Sequence, residues 1–227
     1  METSVTIKVS LVLHPPYMIS MEHQERILNK AHELFMRYGI RSVSMDEIAN
    51  HLGMSKKTIY QFYADKDALV DDVIDIEINL NQTECLAHRQ RSENAIHEIF
   101  ISVDMVEEML TKMNPAVIND LEKYHPRAFR KFTEHKNKFL YTLIRENLDW
   151  GKKEELYREE IQSDIIARFR LVSVFIVFNQ DFFPLGKHNL PALIIEITDN
   201  FLFGLATPKG QKLIHKYKQH RQKTITV

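Results

Sequence analysis

The chain has 227 residues, 44% of them hydrophobic and 27% charged, with a formal net charge of −1. That is the composition of a globular protein long enough for one large domain or two small ones, and it excludes a low-complexity or collagen-like chain. A single cysteine, Cys85, excludes an intramolecular disulfide and a multi-cysteine metal site, and no apolar run approaches the 18 residues of a membrane span.

Residues 1–20 lack the basic start, long apolar run and small-residue cleavage site of a signal peptide. They read as a disordered leader or, with Met21 as the true start, as a segment outside the natural protein. The first clear helix is predicted from Met21 to Tyr38, with Ile27, Ala31, Leu34, Phe35 and Tyr38 on one apolar face and Gly39 just past its end. Ser44-Met45-Asp46-Glu47 is a capping box for a second helix that turns Ile48, Ala49 and Leu52 inward. Gly53 permits a sharp turn. Ser55 caps a third helix from Lys56 to about Tyr63, and Asp65 caps a fourth that starts at Lys66 and passes Leu80.

The pattern stays helical beyond Leu80. Ala95, Ile96, Ile99, Phe100, Val103, Val106 and Leu110 form a stripe, which Asn114-Pro115 ends. Pro126 suits a first helical turn, and apolar spacing continues to Trp150-Gly151. Asp164–Asn179 and Pro191–Leu205 read as two strongly apolar helices, and a polar, basic tail follows Pro208. Only 6 Gly and 7 Pro occur, so the expected fold class is all-α.

Charge is unevenly spread. Residues 21–70 carry seven basic and seven acidic groups, residues 71–207 carry 16 and 23, and residues 208–227 carry six basic groups and no acid. An acidic bulk repels DNA, so a DNA contact must be local to the small helical unit, aided at most by the tail.

The third helix has the chemistry for such a contact. Lys56, Lys57 and Thr58 lie in its first turn, where free amides and the helix dipole favour phosphate. Gln61 has the amide that pairs bidentately with adenine, and Tyr60 offers a hydroxyl to phosphate. Ile59 and Phe62 face inward. Lys66 is placed to clamp the flanking backbone, and Ser44 has a hydroxyl near the groove edge beside its capping role. Two lysines alone are most simply a solvated surface. Set in a capped helix–Gly–helix, they read as a helix-turn-helix.

Residues 24–70 resemble the DNA-binding domain of TetR-family transcriptional repressors. The match runs through Ile27, Ala31, Leu34, Phe35, Gly39, the S-M-D-E-I-A run, Leu52-Gly53, Met54-Ser55, Thr58-Ile59-Tyr60, Phe62-Tyr63 and Lys66-Asp67-Ala68-Leu69. Lys57 departs from it, since many members have Gly or a small residue there. The resemblance implies DNA contacts at Ser44, Lys56, Lys57, Thr58, Tyr60, Gln61 and Lys66. It also implies a domain from 71 to 207 that binds an effector and dimerises through helices near 164–180 and 191–206, with the basic tail at 208–227. The expected function is a cytoplasmic homodimeric repressor that leaves a palindromic operator when a small molecule binds.

Phe100, Met105, Met109, Met113, Phe129, Phe132, Phe139, Tyr141, Phe175 and Phe178 suit either a cavity lining or plain core. The 11 histidines show no strong metal spacing, and neither a cofactor nor a metal is expected. A ligand-independent DNA-binding protein is an alternative that a solid second domain would favour. A helical enzyme is another, although G-x-S-x-G, phosphate-loop and H-E-x-x-H motifs are missing.

Overall fold

The computed structural model describes residues 16–184 and 186–225, with side chains from 22 to 184 and from 186 to 221. Eleven α-helices are found among the described residues, and the only β-pairing is an isolated bridge between Tyr157 and Ala206. In chain order they are α1 (Pro16–Tyr38), α2 (Met45–Leu52), α3 (Lys56–Phe62), α4 (Lys66–Arg91), α5 (Ala95–Lys112) and α6 (Ala116–Tyr124). Then come α7 (Pro126–His135), α8 (Tyr141–Lys153), α9 (Ser163–Phe175), α10 (Leu190–Leu205) and α11 (Pro208–Ile225). A π-helical turn, Lys136–Leu140, joins α7 to α8, and a 3₁₀ turn, Ile176–Phe178, closes α9.

The first three helices and the start of α4 share one core. Ile27, Ala31 and Phe35 of α1, Ile48 and Ala49 of α2, Ile59 of α3 and Leu69 and Val70 of α4 are buried together. Burying an Ile or Phe side chain contributes about 1.5–3 kcal/mol, and here that holds helices too short to persist alone. Tyr38, expected on the same face, is 47% exposed and carries the Arg37 guanidinium over its ring at 5.3 Å. It sits next to Gly39, where α1 has ended and the chain is turning away.

This core does not stop at residue 70. Val73 and Ile74 continue it along α4, and Val117 and Leu121 of α6 and Ala128 of α7 join it. Polar contacts reinforce the junction. Asp120 Oδ2 on α6 accepts from the Arg41 amide at 2.8 Å, and the Asn114 amide donates to the Met36 carbonyl at 2.6 Å. His125 Nδ1 lies 2.6 Å from Asp67 Oδ1. Gly39 has φ +86°, and a Cβ there would stand 3.2 Å from the Asp120 carboxylate. Both the backbone and the close approach ask for glycine.

A second core is built from α5, α8, α9, α10 and α11. Ala95, Ile96, Leu148, Leu156, Tyr157, Ala167, Phe201, Leu202 and Ile214 meet there. A buried polar chain ties them. The Tyr157 hydroxyl donates to Asn147 Oδ1 at 3.2 Å, and Asn147 Nδ2 donates to the Ala95 carbonyl at 2.8 Å and to Glu98 Oε2 at 2.7 Å.

Two element boundaries and the tail differ from expectation. Helix α1 starts at Pro16, five residues before Met21, so it takes in the end of the segment read as a leader. Residues 1–15 lie outside the described residues. Helix α9 ends at Phe175, short of Asn179. The basic tail forms helix α11, packed on α5 and α10 with Ile214 buried. Its cations answer the acidic body. Arg221 pairs with Asp104 at 3.0 Å and with Glu107, and Lys218 pairs with Asp199. The tail therefore offsets the charge of the larger domain, a use that its sequence alone did not reveal.

Candidate nucleic-acid interface and the cavity behind it

Helix α3 is fixed by three local devices. Gly53 takes φ +64°, the left-handed conformation that ends α2, and its amide bonds back to the α2 carbonyls. The Ser55 hydroxyl then caps α3 by accepting from the Thr58 amide at 3.1 Å. Ile59, wholly buried, anchors the helix to the core. With Ile59 turned in, Lys56, Lys57, Tyr60 and Gln61 stand exposed.

Of the seven residues expected to touch DNA, these four share an exposed helical face. Lys56 Nζ lies 2.8 Å from Asp46 Oδ1 and 5.9 Å from the centre of the Tyr60 ring. The Asp46 carboxylate raises the Lys56 pKa, so the ammonium stays charged. Solvent-exposed ion pairs of this kind are weak, and a phosphate can replace the carboxylate. Thr58 is half-buried, with its hydroxyl 2.8 Å from the Ser55 hydroxyl. Its role is partly spent on the cap.

Ser44 is exposed at the start of α2. Its hydroxyl accepts from the Glu47 amide at 3.2 Å, and the Glu47 carboxylate accepts from the Ser44 amide at 2.6 Å. The capping box is complete, and the Ser44 amide and the Ser44 hydroxyl, both donating to the Glu47 carboxylate, hold that carboxyl below its ordinary pKa.

Lys66 differs from expectation. It is half-buried, its ammonium donates to the Ile40 carbonyl at 2.5 Å, and it lies 5.8 Å from the Phe35 ring. Burial lowers its pKa. The side chain braces the α1–α2 loop against α4, where a free phosphate clamp was expected.

Behind this unit a cavity of about 230 Å³ opens among α4, α5, α8, α9 and α10. Met105, Met109, Met113, Phe132, Phe175 and Phe178 line it, whereas Phe100 and Phe129 belong to the cores. Ile118 of α6 also reaches its wall. Asp120, two residues on, holds the Arg41 amide. Sequence reasoning missed Asp120, which braces the junction, and Arg170, which lines the cavity. Arg170 had a signal, being a cation in register with Ala167, Leu171 and Val174 on the inward face of α9. Asp120 had none, because its partner is 79 residues away.

Among the described residues no group of three or more His, Cys, Asp or Glu is placed to hold a metal ion. No helix among them is long and apolar enough to cross a membrane.

Residues 27–73, from the middle of α1 to the first turns of α4, match the family model described as bacterial regulatory proteins, tetR family. Over this stretch the chain is similar to the TetR family. It is 30% identical over 106 residues to YvaF of Bacillus subtilis strain 168, named an uncharacterized HTH-type transcriptional regulator. That alignment covers 46% of this chain and 55% of YvaF. An HTH-type transcriptional regulator of Staphylococcus aureus strain bovine RF122 is 37% identical over 60 residues, 26% of this chain and 32% of that protein. The chain thus spans about half the length of the first relative and a third of the second.

Similarity of fold reaches further. A TetR-family regulator from Agrobacterium tumefaciens superposes with a TM-score of 0.69 at 14% identity, covering 82% of this chain and 99% of that one. A transcriptional regulator from Saccharomonospora viridis, described in complex with choline, gives 0.67 at 16% identity with the same coverages. At such identities the likeness is one of architecture: a TetR-like helix-turn-helix carried on a larger helical domain.

Proposed function

We propose that this chain is a cytoplasmic, DNA-binding transcriptional regulator of the TetR family, acting as a homodimeric repressor that a small molecule releases from a palindromic operator. The observation that carries the DNA-binding part is helix α3. It is capped at Ser55, anchored by Ile59, and presents Lys56, Lys57, Tyr60 and Gln61 on one exposed face. Lys56, Lys57 and Tyr60 would bind phosphate and Gln61 would read an adenine edge. Thr58 and Ser44 would contact the backbone from the ends of their helices, and Lys66 would act by bracing the loop before α2. The named relatives are transcriptional regulators, which weighs against the enzyme alternative.

Dimerisation is supported by α9. Ile165, Phe169 and Val172, at i, i+4 and i+7, are 58%, 58% and 65% exposed. Such a stripe on a helix whose other side is buried calls for a second apolar surface. A second copy meeting it about a two-fold axis would match the symmetry of a palindrome.

Effector release is supported by the cavity, which also disfavours the ligand-independent alternative. Its wall includes Ile118 of α6, and α6 holds the reading unit through Asp120, Asn114 and the shared core. A ligand that displaces α6 would tilt α3 with it, and would do so only to the extent that it binds the two arrangements unequally. The choline complex of the Saccharomonospora viridis neighbour lends the ligand reading support by fold.

A gel-shift series on selected DNA tests the interface. Lys57→Ala is expected to weaken binding to all sequences and flatten its salt dependence, while Gln61→Ala changes base preference at about 1–3 kcal/mol. If neither variant differs from the parent, α3 is not the reading helix.

A further inference from the structure

The polar groups on the cavity wall are matched with partners inside the protein, with one exception. Glu98 accepts from Arg89 Nη1 at 2.8 Å and from Asn147 at 2.7 Å. His135 sits between Asn81 and Gln82 at 2.9 and 3.3 Å, the Ser102 hydroxyl donates to the Glu98 carbonyl at 2.8 Å, and Glu77 pairs with His32 at 2.5 Å. Arg170 is the exception. It is 7% exposed, its Nη2 donates to Thr198 Oγ1 at 2.9 Å, and its guanidinium stacks 4.8 Å from the Phe201 ring. Its Nη1 is closed off from solvent and has no hydrogen-bond partner.

A buried charge of this kind is costly unless something neutralises it. Burial brings the Arg170 pKa down to about 10, which still leaves the guanidinium charged at neutral pH. The rest of the wall is mainly Ile, Leu, Val, Met and Phe. A site that is apolar almost throughout, with one unanswered cation, is complementary to a molecule with an apolar body and one negative charge.

We propose that the effector is an apolar carboxylic acid, its carboxylate paired with the Arg170 guanidinium on the cavity wall and its hydrocarbon body filling the cavity. This rests on the ligand-responsive reading given above and names the chemical class of the ligand. A carboxylate suits one guanidinium better than a phosphate dianion, which would bring a second charge to a wall with no second unpaired cation among the described residues. The orientation follows from the packing. Arg170 stacks on Phe201 of the second core, whereas Ile74 and Met113 of the wall pack with the first core. The acid group is therefore on the side of the second core, and the apolar tail points toward the first core, which α6 shares.

The test is calorimetric titration of the full chain at about pH 7.5, where a carboxylic acid is ionised, with decanoate, 1-decanol and decyltrimethylammonium. A charge-assisted hydrogen bond in a dry site is expected to make decanoate at least about tenfold tighter than decanol, with no heat from the ammonium. In Arg170→Met that preference disappears while decanol binding persists, which shows that the variant is folded. Arg170→Lys keeps part of the preference. Equal binding of decanol and decanoate to the parent, or a preference that survives Arg170→Met, overturns the acid assignment and leaves the ligand reading standing. If none of the three probes binds, the ligand reading falls and the assignment falls with it.

Discussion

At the scale of single residues, side chains proposed to contact DNA also hold the structure. Ser44 closes a capping box and also stands at the edge of the exposed face. Ser44→Ala is expected to lower the unfolding free energy by about 1 kcal/mol, read from urea titration, because the α2 amides lose an acceptor. Lys66 shows how burial changes a role that residue type suggests. A lysine at a helix start invites a phosphate contact, yet this one reaches back to the Ile40 carbonyl. Composition and spacing locate a lysine but not the direction of its side chain, and only the packed loop decides that. His135 is a residue-scale consequence of the cavity wall. Its Nε2 faces the Asn81 carbonyl oxygen and its Nδ1 faces the Gln82 amide, which favours the neutral ring with its proton on Nε2. Burial lowers its pKa below the ordinary 6.5. The folded state therefore binds this proton less readily than the unfolded state, and His135 is expected to subtract stability as pH falls below about 6.5. Nitrogen NMR of the ring at about pH 6 should show the neutral Nε2–H tautomer, and a cationic ring there would contradict the assignment.

At the scale of elements, local signals carried most of the fold. Caps at Ser44, Ser55 and Asp65 and the glycine turn at Gly53 are chemical marks that depend on a few adjacent residues, so α2, α3 and the start of α4 stand where their sequence puts them. The ends that moved lack such marks. Helix α9 carries no strong stop signal, and it ends where Val177 turns into the core beside α10. Helix α11 has few apolar residues, and its order depends on long-range partners that a local pattern does not contain. The exposed stripe of α9 was legible as excess apolarity, but which side it occupied was not. Phe169→Glu is expected to convert a dimer to monomers in sedimentation velocity while leaving helical content unchanged. A dimer that persists would move the interface away from α9.

At the scale of the whole molecule, charge and connectivity divide the work. The acidic domain is partly neutralised by its own basic C-terminal helix, which leaves α3 as the element suited to a polyanion. The reading unit is not a separate bead on a linker. Helix α4 runs through the nominal boundary, and α6 shares the core of the reading unit while contributing Ile118 to the cavity. That continuity would give a molecule in the cavity a mechanical route to α3, and it could not be read from either half of the sequence alone. The most direct measurement is selection of DNA by the purified full chain from a random pool, followed by sequencing. The expected result is a consensus of two inverted half-sites about one helical turn apart, with enrichment lost in a Lys57→Ala, Gln61→Ala double variant. Recovery of no enriched sequence, or of the same consensus by the double variant, would contradict DNA recognition through α3.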